Sequence, residues 1–168
     1  MRHKHRTETL IDQNGNEVNI DSGISELISE LWMLNIKTIS CCENYQAKGD
    51  ETWIWINFPI EDAKKFLNVL SAYDEDIYSM YNRIHRQRDK TGVCIFGKEG
   101  DYVEGTWEYW VQPRDQRFNE LDEDRISQNI FKLITIDITF DVSVLFPSSD
   151  YEEVLRRVKK FNKRRRYL

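Results

Sequence analysis

The sequence has no apolar run near the length of a membrane helix. Such a helix takes about 20 consecutive apolar residues, whereas the mean hydropathy of this chain is -0.66. The basic N-terminal stretch MRHKHRTETL also lacks the apolar segment of a secretory signal. Three cysteines in 168 residues are too few for a disulfide framework. Together these absences predict a soluble, globular, cytoplasmic protein that does not engage a membrane.

Short motifs of common enzymes are absent as well. The chain contains no G-x-G-x-x-G, Walker loop, G-x-S-x-G, H-E-x-x-H or kinase motif. Candidate zinc ligands are Cys41, Cys42, Cys94 and His85, and they show no C-x-x-C or H-x-E spacing. The sequence therefore predicts no metal and no cofactor. It favours a protein that is not an enzyme, although an enzyme without a short motif stays open.

Charge is distributed unevenly along the chain. Residues 156–168 contain eight basic residues and no acidic one, which leaves 16 basic and 29 acidic residues, a net charge of -13, in residues 1–155. Such an acidic body repels phosphate backbones, so nucleic-acid binding is not expected except through the basic tail. The alternative interpretation of 156–168 is a helix C-terminus whose cations complement the helix dipole, followed by a solvated tail.

The pattern of apolar residues predicts alternating hairpins and helices. TLIDQNGNEVNI is typical of a hairpin because Asn14-Gly15 suits a tight turn. An amphipathic helix follows from Ile24 to Trp32, with Asp21, Ser22 and Gly23 offering a cap and Asn35 an end. We predict strands at 36–41, 52–58, 91–97 and 105–111, and polar loops at 42–51 and 113–128.

The clearest pattern lies in residues 130–146, IFKLITIDITFDVSVLF. Even positions are apolar except Lys132, and odd positions 135 to 143 are polar. A period of two predicts a strand with one buried face and one wet or ligand-facing side. Asp137 and Asp141 share that polar side but stand about 13 Å apart, too far to bind one ion together. Thr135, Asp137 and Thr139 could instead line a groove, and a solvated polar face is the alternative.

One segment echoes another 88 residues later in the chain. WINFPIEDAKKFLNVL and VSVLFPSSDYEEVLRRV both run from a strand through Phe-Pro into an amphipathic helix. We therefore predict an α+β fold, ferredoxin-like or a related sandwich, with a mostly antiparallel sheet and about three helices on one face. Residues 1–155 form the single domain, with half-repeats at about 9–84 and 91–162, and residues 156–168 form a basic helix end and tail.

Two strands interleave tryptophans, and an arginine-rich segment, RIHRQRDK, follows a helix. Outward-facing rings beside guanidinium groups suit a nucleobase and its phosphate. The alternatives are tryptophans packed in the core and a solvated cationic helix end. The candidate ligand-binding residues are Trp53, Trp55, Arg83, His85, Arg86, Arg88, Trp107, Trp110, Arg114, Arg117, Thr135, Asp137 and Thr139.

Cys41 and Cys42 are weak candidates for catalysis. They stand where a strand meets a loop, and a thiol there could act as a nucleophile if a base lowered its pKa. No motif supplies that base, and buried structural cysteines are more common.

The segment ISELISELWMLNIKTISCCEN followed by WIWINF resembles the front of the wybutosine tRNA methyltransferase group. The matched positions are Thr38, Ser40 and Cys41, within residues 24–58. Glu43 and Asn44 stand where that group has glycine and arginine, so the resemblance implies an α+β fold and no catalytic residue.

Three functions follow from these features. The first is a small non-enzymatic protein that sequesters a nucleotide-like or anionic small ligand, encoded by a phage or mobile element as an anti-defence protein. The second is an acidic interaction module that inhibits a basic host protein. The third is an enzyme that modifies RNA or a nucleotide through Cys41 or Cys42. Exposed tryptophans and sheet edges also predict a homo-oligomer.

Overall fold

A computed structural model describes residues 5–48, 51–72, 80, 84, 107–114 and 139–165. The predicted strands at 91–97 and 130–138 lie outside these residues, as do most of the predicted loop at 113–128 and the end of the tail. Within the described part no helix is long and apolar enough to cross a membrane. The described strands are β1 Thr7–Ile11, β2 Glu17–Asp21, β3 Ser40–Lys48, β4 Glu51–Pro59, β5 Glu108–Pro113 and β6 Phe140–Pro147, and the helices are α1 Ser25–Met33, α2 Ile60–Ser71 and α3 Tyr151–Arg165.

The predicted hairpin and first helix are confirmed. β1 and β2 pair antiparallel around a turn in which Gly15 has φ +86°, a conformation that glycine adopts without strain. Helix α1 ends at Leu34, and Asn35 follows with φ 61°, in the left-handed region where asparagine is tolerated. Turn chemistry in the sequence thus fixes both ends of this N-terminal unit.

The remaining described strands form one antiparallel sheet in the order β3-β4-β6-β5. Its inner face meets all three helices in one apolar core. From the sheet the core takes Ile54, Ile56, Phe58, Val142, Val144 and Phe146; from the helices it takes residues such as Leu27, Leu31, Phe66, Leu70, Val154 and Val158. The α+β class, the antiparallel sheet and the helices on one face are therefore confirmed.

The central strands pair about a local twofold relation. Ile56 of β4 lies opposite Val144 of β6, and these two residues are separated by the same 88 positions as the Phe-Pro pairs. Each strand runs through its proline toward a helix, so the described order is strand-strand-helix twice. Antiparallel central strands distinguish this arrangement from the ferredoxin-like alternative and match the related sandwich. The domain and half-repeat boundaries stay predictions.

The basic segment that begins at Arg156 is helical through Arg165, and its cations contact the other helices. Nη1 of Arg157 donates to the carbonyl oxygen of Leu70 at 2.7 Å, at the end of α2. Nη1 of Arg165 donates to the carbonyl oxygen of Leu34 at 3.3 Å, where α1 ends. Cations stabilise the partially negative carboxyl end of a helix. These residues therefore cap neighbouring helices as well as ending their own.

We expect Arg157→Ala to lower the free energy of unfolding by about 1–3 kcal/mol, because a charged donor to a helix-end carbonyl is lost. The matched control is Arg156→Ala, since Arg156 also pairs with Glu153 but is 57% exposed, against 11% for Arg157. The control should change stability by less than about 0.5 kcal/mol. Denaturant unfolding of both variants measures the difference, and equal losses would contradict the capping role.

Candidate functional site

The outer face of the sheet, away from the three helices, carries polar and aromatic side chains. Strand alternation places Trp53, Trp55 and Asn57 of β4 there, because Ile54, Ile56 and Phe58 point into the core. Opposite them stand Pro147, Leu145 and Ser143 of β6. The prediction that Trp53 and Trp55 share one face of their strand is therefore confirmed.

Three aromatic rings form a cluster on this face, hereafter the aromatic cluster: Tyr45, Trp55 and Trp110. Tyr45 stacks on Trp55 with ring centroids 5.3 Å apart, and it meets Trp110 edge-on at 6.1 Å. Tyr45 is 44% exposed and Trp110 is 45% exposed. Nε1 of Trp55 is buried and has no acceptor among the described residues. Two half-exposed rings thus lie against a third that is partly buried.

An irregularity in β3 brings Tyr45 to this position. Cys42 pairs with Trp55 and Gln46 pairs with Trp53, so the three residues between Cys42 and Gln46 oppose Ile54 alone. Extra residues in one strand disrupt the ladder and redirect side chains. The polar loop predicted at 42–51 is wrong here, because β3 runs to Lys48 and β4 begins at Glu51.

Glu43 anchors the same irregularity to the start of α1. Its Oε2 accepts from the backbone N–H of Gly23 at 2.6 Å, and its Oε1 lies 3.1 Å from Nδ1 of His5. Its own backbone N–H donates to Oδ2 of Asp21 at 3.1 Å. The predicted local side-chain cap is not formed, since α1 has no side-chain bond from its N-cap residue, Ile24. A carboxylate from a distant strand binds the backbone beside that helix end.

The exposed edge of the outer face follows β5, and we call Trp110, Gln112 and Arg114 the β5 rim. All three are exposed. Nε and Nη2 of Arg114 both donate to Oδ1 of Asp141 at 2.8 Å. The backbone N–H of Arg114 donates to the carbonyl oxygen of Thr139 at 2.9 Å. The guanidinium is thus held in place, and Thr139 takes part through its backbone.

The expected wet side of β6 is wrong for residues 141–145. Asp141, Ser143 and Leu145 are all buried, so both faces of this central strand are covered. Short side chains on a central strand lie between larger neighbours: Trp55 stands opposite Leu145 and Trp110 stands opposite Ser143. Access is therefore confined to the aromatic cluster and the β5 rim.

Two of the predicted tryptophans do not offer a stacking surface. Trp107 belongs to the core, on the helix side: it is 3% exposed, stacks on Phe146 at 4.7 Å, and donates from Nε1 to Asp150 at 2.8 Å. Its prediction as a ligand-binding residue is corrected, because burial and a satisfied indole N–H leave no surface for a ligand. Trp53 lies on the outer face but is 6% exposed.

Neither described cysteine is poised as a nucleophile. Burial, with a smaller contribution from the Asp21 carboxylate, raises the pKa of Cys41 to about 12. Burial also raises the pKa of Cys42. Cys41 packs against the core. Both thiols are therefore protonated near neutral pH, which opposes the catalytic hypothesis.

The other predicted ligand-binding residues lie outside the described part of the chain. They are Arg83, His85, Arg86, Arg88, Arg117, Thr135 and Asp137. Among the described residues no group of three or more His, Cys, Asp or Glu side chains could hold a metal ion.

A separate groove of about 420 Å³ lies between the hairpin and the segment before β3. Trp32 and Ile39 are on its wall, and its charged side chains are Asp12 and Lys37. The Asp12 carboxylate already accepts from the backbone N–H groups of Asn14 and Asn16, both at 2.8 Å. The groove therefore offers one cation and no unsatisfied carboxylate.

Sequence analysis missed Tyr45, Gln112 and Asp141 as residues of the site. Asp141 and Gln112 lie on strands whose alternation was visible, so their face could be inferred once the pairing of β5 with β6 was known. Tyr45 had no such signal, because the irregularity in β3 is defined by the partner strand.

Comparisons with known proteins add one relative. The chain is 26% identical over 151 residues, or 88% of its length, to "Uncharacterized protein R428" of Acanthamoeba polyphaga mimivirus. It spans 64% of the length of that protein. No protein-family model matches the chain, and no solved structure matches it. The resemblance to the wybutosine tRNA methyltransferase group stays a prediction, and a viral protein is the relative that the comparison supplies.

We expect Gly23→Ala to destabilise the fold by about 1–3 kcal/mol, because a Cβ there would collide with the Glu43 carboxylate. In a Glu43→Ala background that obstacle is gone, so the added cost should fall within about 0.5 kcal/mol. A double-mutant cycle by denaturant unfolding measures the coupling. Strictly additive effects would show that Glu43 does not hold the bulge against α1.

We expect both described thiols to react slowly with iodoacetamide at pH 7, because raised pKa values deplete the thiolate. Cys41, with the pKa of about 12, should stay the slower of the two as pH rises to 9. Peptide mass spectrometry in a Cys94→Ser background follows each site, with denatured protein as the control. Rapid alkylation of folded Cys41 at pH 7 would restore the nucleophile hypothesis.

Proposed function

We propose that this protein is a non-enzymatic binding protein that sequesters a nucleotide-like small ligand at the aromatic cluster and the β5 rim. The single observation that carries the proposal is the pairing of two half-exposed aromatic rings, Tyr45 and Trp110, with a fixed and exposed arginine on the same strand edge.

The exposed rings supply the stacking part of the proposal. Trp110 and Tyr45 each leave nearly half of a large apolar side chain in water, although each is packed against a neighbouring ring. Base-aromatic stacking contributes about 1–3 kcal/mol per base and tolerates any base. Rings held by neighbours lose little further conformational freedom when a planar ligand binds. The cluster thus suits a nucleobase or a similar flat heterocycle.

The β5 rim supplies polar recognition next to those rings. Gln112 stands between Trp110 and Arg114 along the strand and opposite Asp141. Its amide carries two donors and an acceptor, which match the edges of a heterocycle or the hydroxyls of a sugar. Arg114 carries the positive charge for an anionic group. Flat, polar and anionic features in one ligand are those of a nucleotide.

The other two hypotheses have less support. The inhibitor of a basic host protein depends on the acidic composition, with no described surface that favours it. The enzyme depends on a reactive thiol, whereas burial raises the pKa values of Cys41 and Cys42. A viral or mobile-element setting is part of the proposal, supported by the mimivirus relative.

We expect nucleotides to raise the thermal stability of the protein, by about 2.7 kcal/mol at 100-fold the dissociation constant. Trp110→Ala should weaken binding by one to two orders of magnitude, as loss of about 1–3 kcal/mol of stacking implies. Differential scanning fluorimetry with mono-, di- and cyclic nucleotides gives the shifts, and chromatography of the recovered ligand should show it unchanged.

Two controls localise the binding. Val111→Ala alters the neighbouring residue of β5, which is 60% exposed and points to the other side of the strand. Lys37→Ala removes the cation of the separate groove. Both variants should bind like the unmodified protein. A panel without any shift, or a loss confined to Lys37→Ala, would sink the proposal.

A further inference from the structure

The guanidinium of Arg114 is positioned before any ligand arrives. One of its edges, Nε and Nη2, is committed to Oδ1 of Asp141. The Asp141 carboxylate is 7% exposed, so it lies within the protein and fixes the arginine from below. The backbone of Arg114 is held as well, through the carbonyl oxygen of Thr139. An arginine held at both points loses little freedom when it meets an anion.

The second edge of the same guanidinium is available. Nη1 has no acceptor among the described residues, and the side chain is 45% exposed. Arginine presents its donors in a planar fork that fits two oxygens of a phosphate. An exposed fork held in place by a buried carboxylate is thus a subsite for a phosphate group.

The distance between this subsite and the rings limits the ligand. Trp110 and Arg114 stand four residues apart along an extended edge, about 13 Å between their Cα atoms. Both side chains extend over the same face, since Trp110 meets Tyr45 there and Arg114 reaches Asp141 of the outer face. A base over Trp110, a sugar near Gln112 and a phosphate at Arg114 follow one another in the order that a nucleotide has.

Charge argues for a small ligand over a polymer. Asp141 neutralises Arg114, and residues 1–155 carry a net charge of -13. A polynucleotide would bring many phosphates toward that acidic body, whereas one phosphate needs only one cation. Part of the cationic charge in α3 is also committed, as Arg157 and Arg165 donate to helix-end carbonyls.

We propose that the Arg114–Asp141 pair is the phosphate subsite of the aromatic cluster, so that the protein selects mononucleotides over nucleosides. This inference rests on the proposed function, of which it names the ligand class. Selection arises because stacking is common to both ligands, and the contact to Nη1 is made by the phosphate alone.

The test compares matched ligands. Tryptophan fluorescence titrations use the 5′-monophosphates of adenosine, guanosine, cytidine and uridine beside the same nucleosides. The unmodified protein should bind each monophosphate about tenfold or more tightly than its nucleoside. Arg114→Gln should abolish that ratio and leave nucleoside affinity unchanged. Arg114→Lys, which keeps the charge and loses the fork, should retain part of it.

Controls separate the subsite from folding and from general charge. Arg156→Gln removes another exposed arginine and should keep the full ratio. Arg114→Gln with Asp141→Asn removes the stranded carboxylate and should behave like Arg114→Gln, with thermal midpoints showing that both fold. Increasing salt should weaken monophosphate binding with a logarithmic slope of about one, as for a single phosphate contact.

The outcomes distinguish the two levels of the proposal. Equal affinity for monophosphates and nucleosides, or a ratio that survives Arg114→Gln, overturns the phosphate subsite and leaves stacking intact. Failure of both ligand classes to bind contradicts the proposed function itself. Tighter binding of a long oligonucleotide than of any monophosphate overturns the selection of small ligands.

Discussion

The register between β4 and β6 is the constraint on which the rest of the structure depends. With Ile56 opposite Val144, the apolar side chains of both central strands enter one core, and Trp55 and Asn57 are placed on the outer face. A shift by one residue would exchange the faces of a strand completely. Tryptophans would then enter the helix-packed core while isoleucines met water. The apolar alternation therefore sets the fold and the position of the aromatic cluster together.

Much of this could be predicted from local patterns. The Asn14-Gly15 turn, the helix that starts at Ser25 and the alternation in β6 are each encoded within a few consecutive residues. The Phe-Pro echo carried more, because its 88-residue spacing matches the pairing of Ile56 with Val144. The outer face was harder: alternation predicted which side of β6 is polar, but not that larger neighbours would bury Asp141 and Ser143.

The parts that the sequence did not predict depend on contacts between distant segments. Tyr45 reaches Trp55 because β3 has extra residues relative to β4, and no single strand contains that information. Glu43 binds the backbone of Gly23, 20 residues earlier, in a place where a local cap was expected. Likewise, Arg157 meets the end of α2 at Leu70, 87 positions away. Local periodicity determines elements, whereas long-range hydrogen bonds determine how the site is assembled.

Burial of the outer face has a consequence for recognition. A bare sheet face would accept extended ligands along several strands, but here Trp53, Asn57, Ser143 and Leu145 are already covered. What stays accessible is a narrow row along an edge, with rings at one end and a guanidinium at the other. Asp141 can be buried with its charge because Arg114 satisfies it, and burial of a paired carboxylate is tolerable where an unpaired one is not. The same bond keeps the arginine extended at the end of β5, so one interaction both stabilises the covered face and positions the cation that an anionic ligand requires.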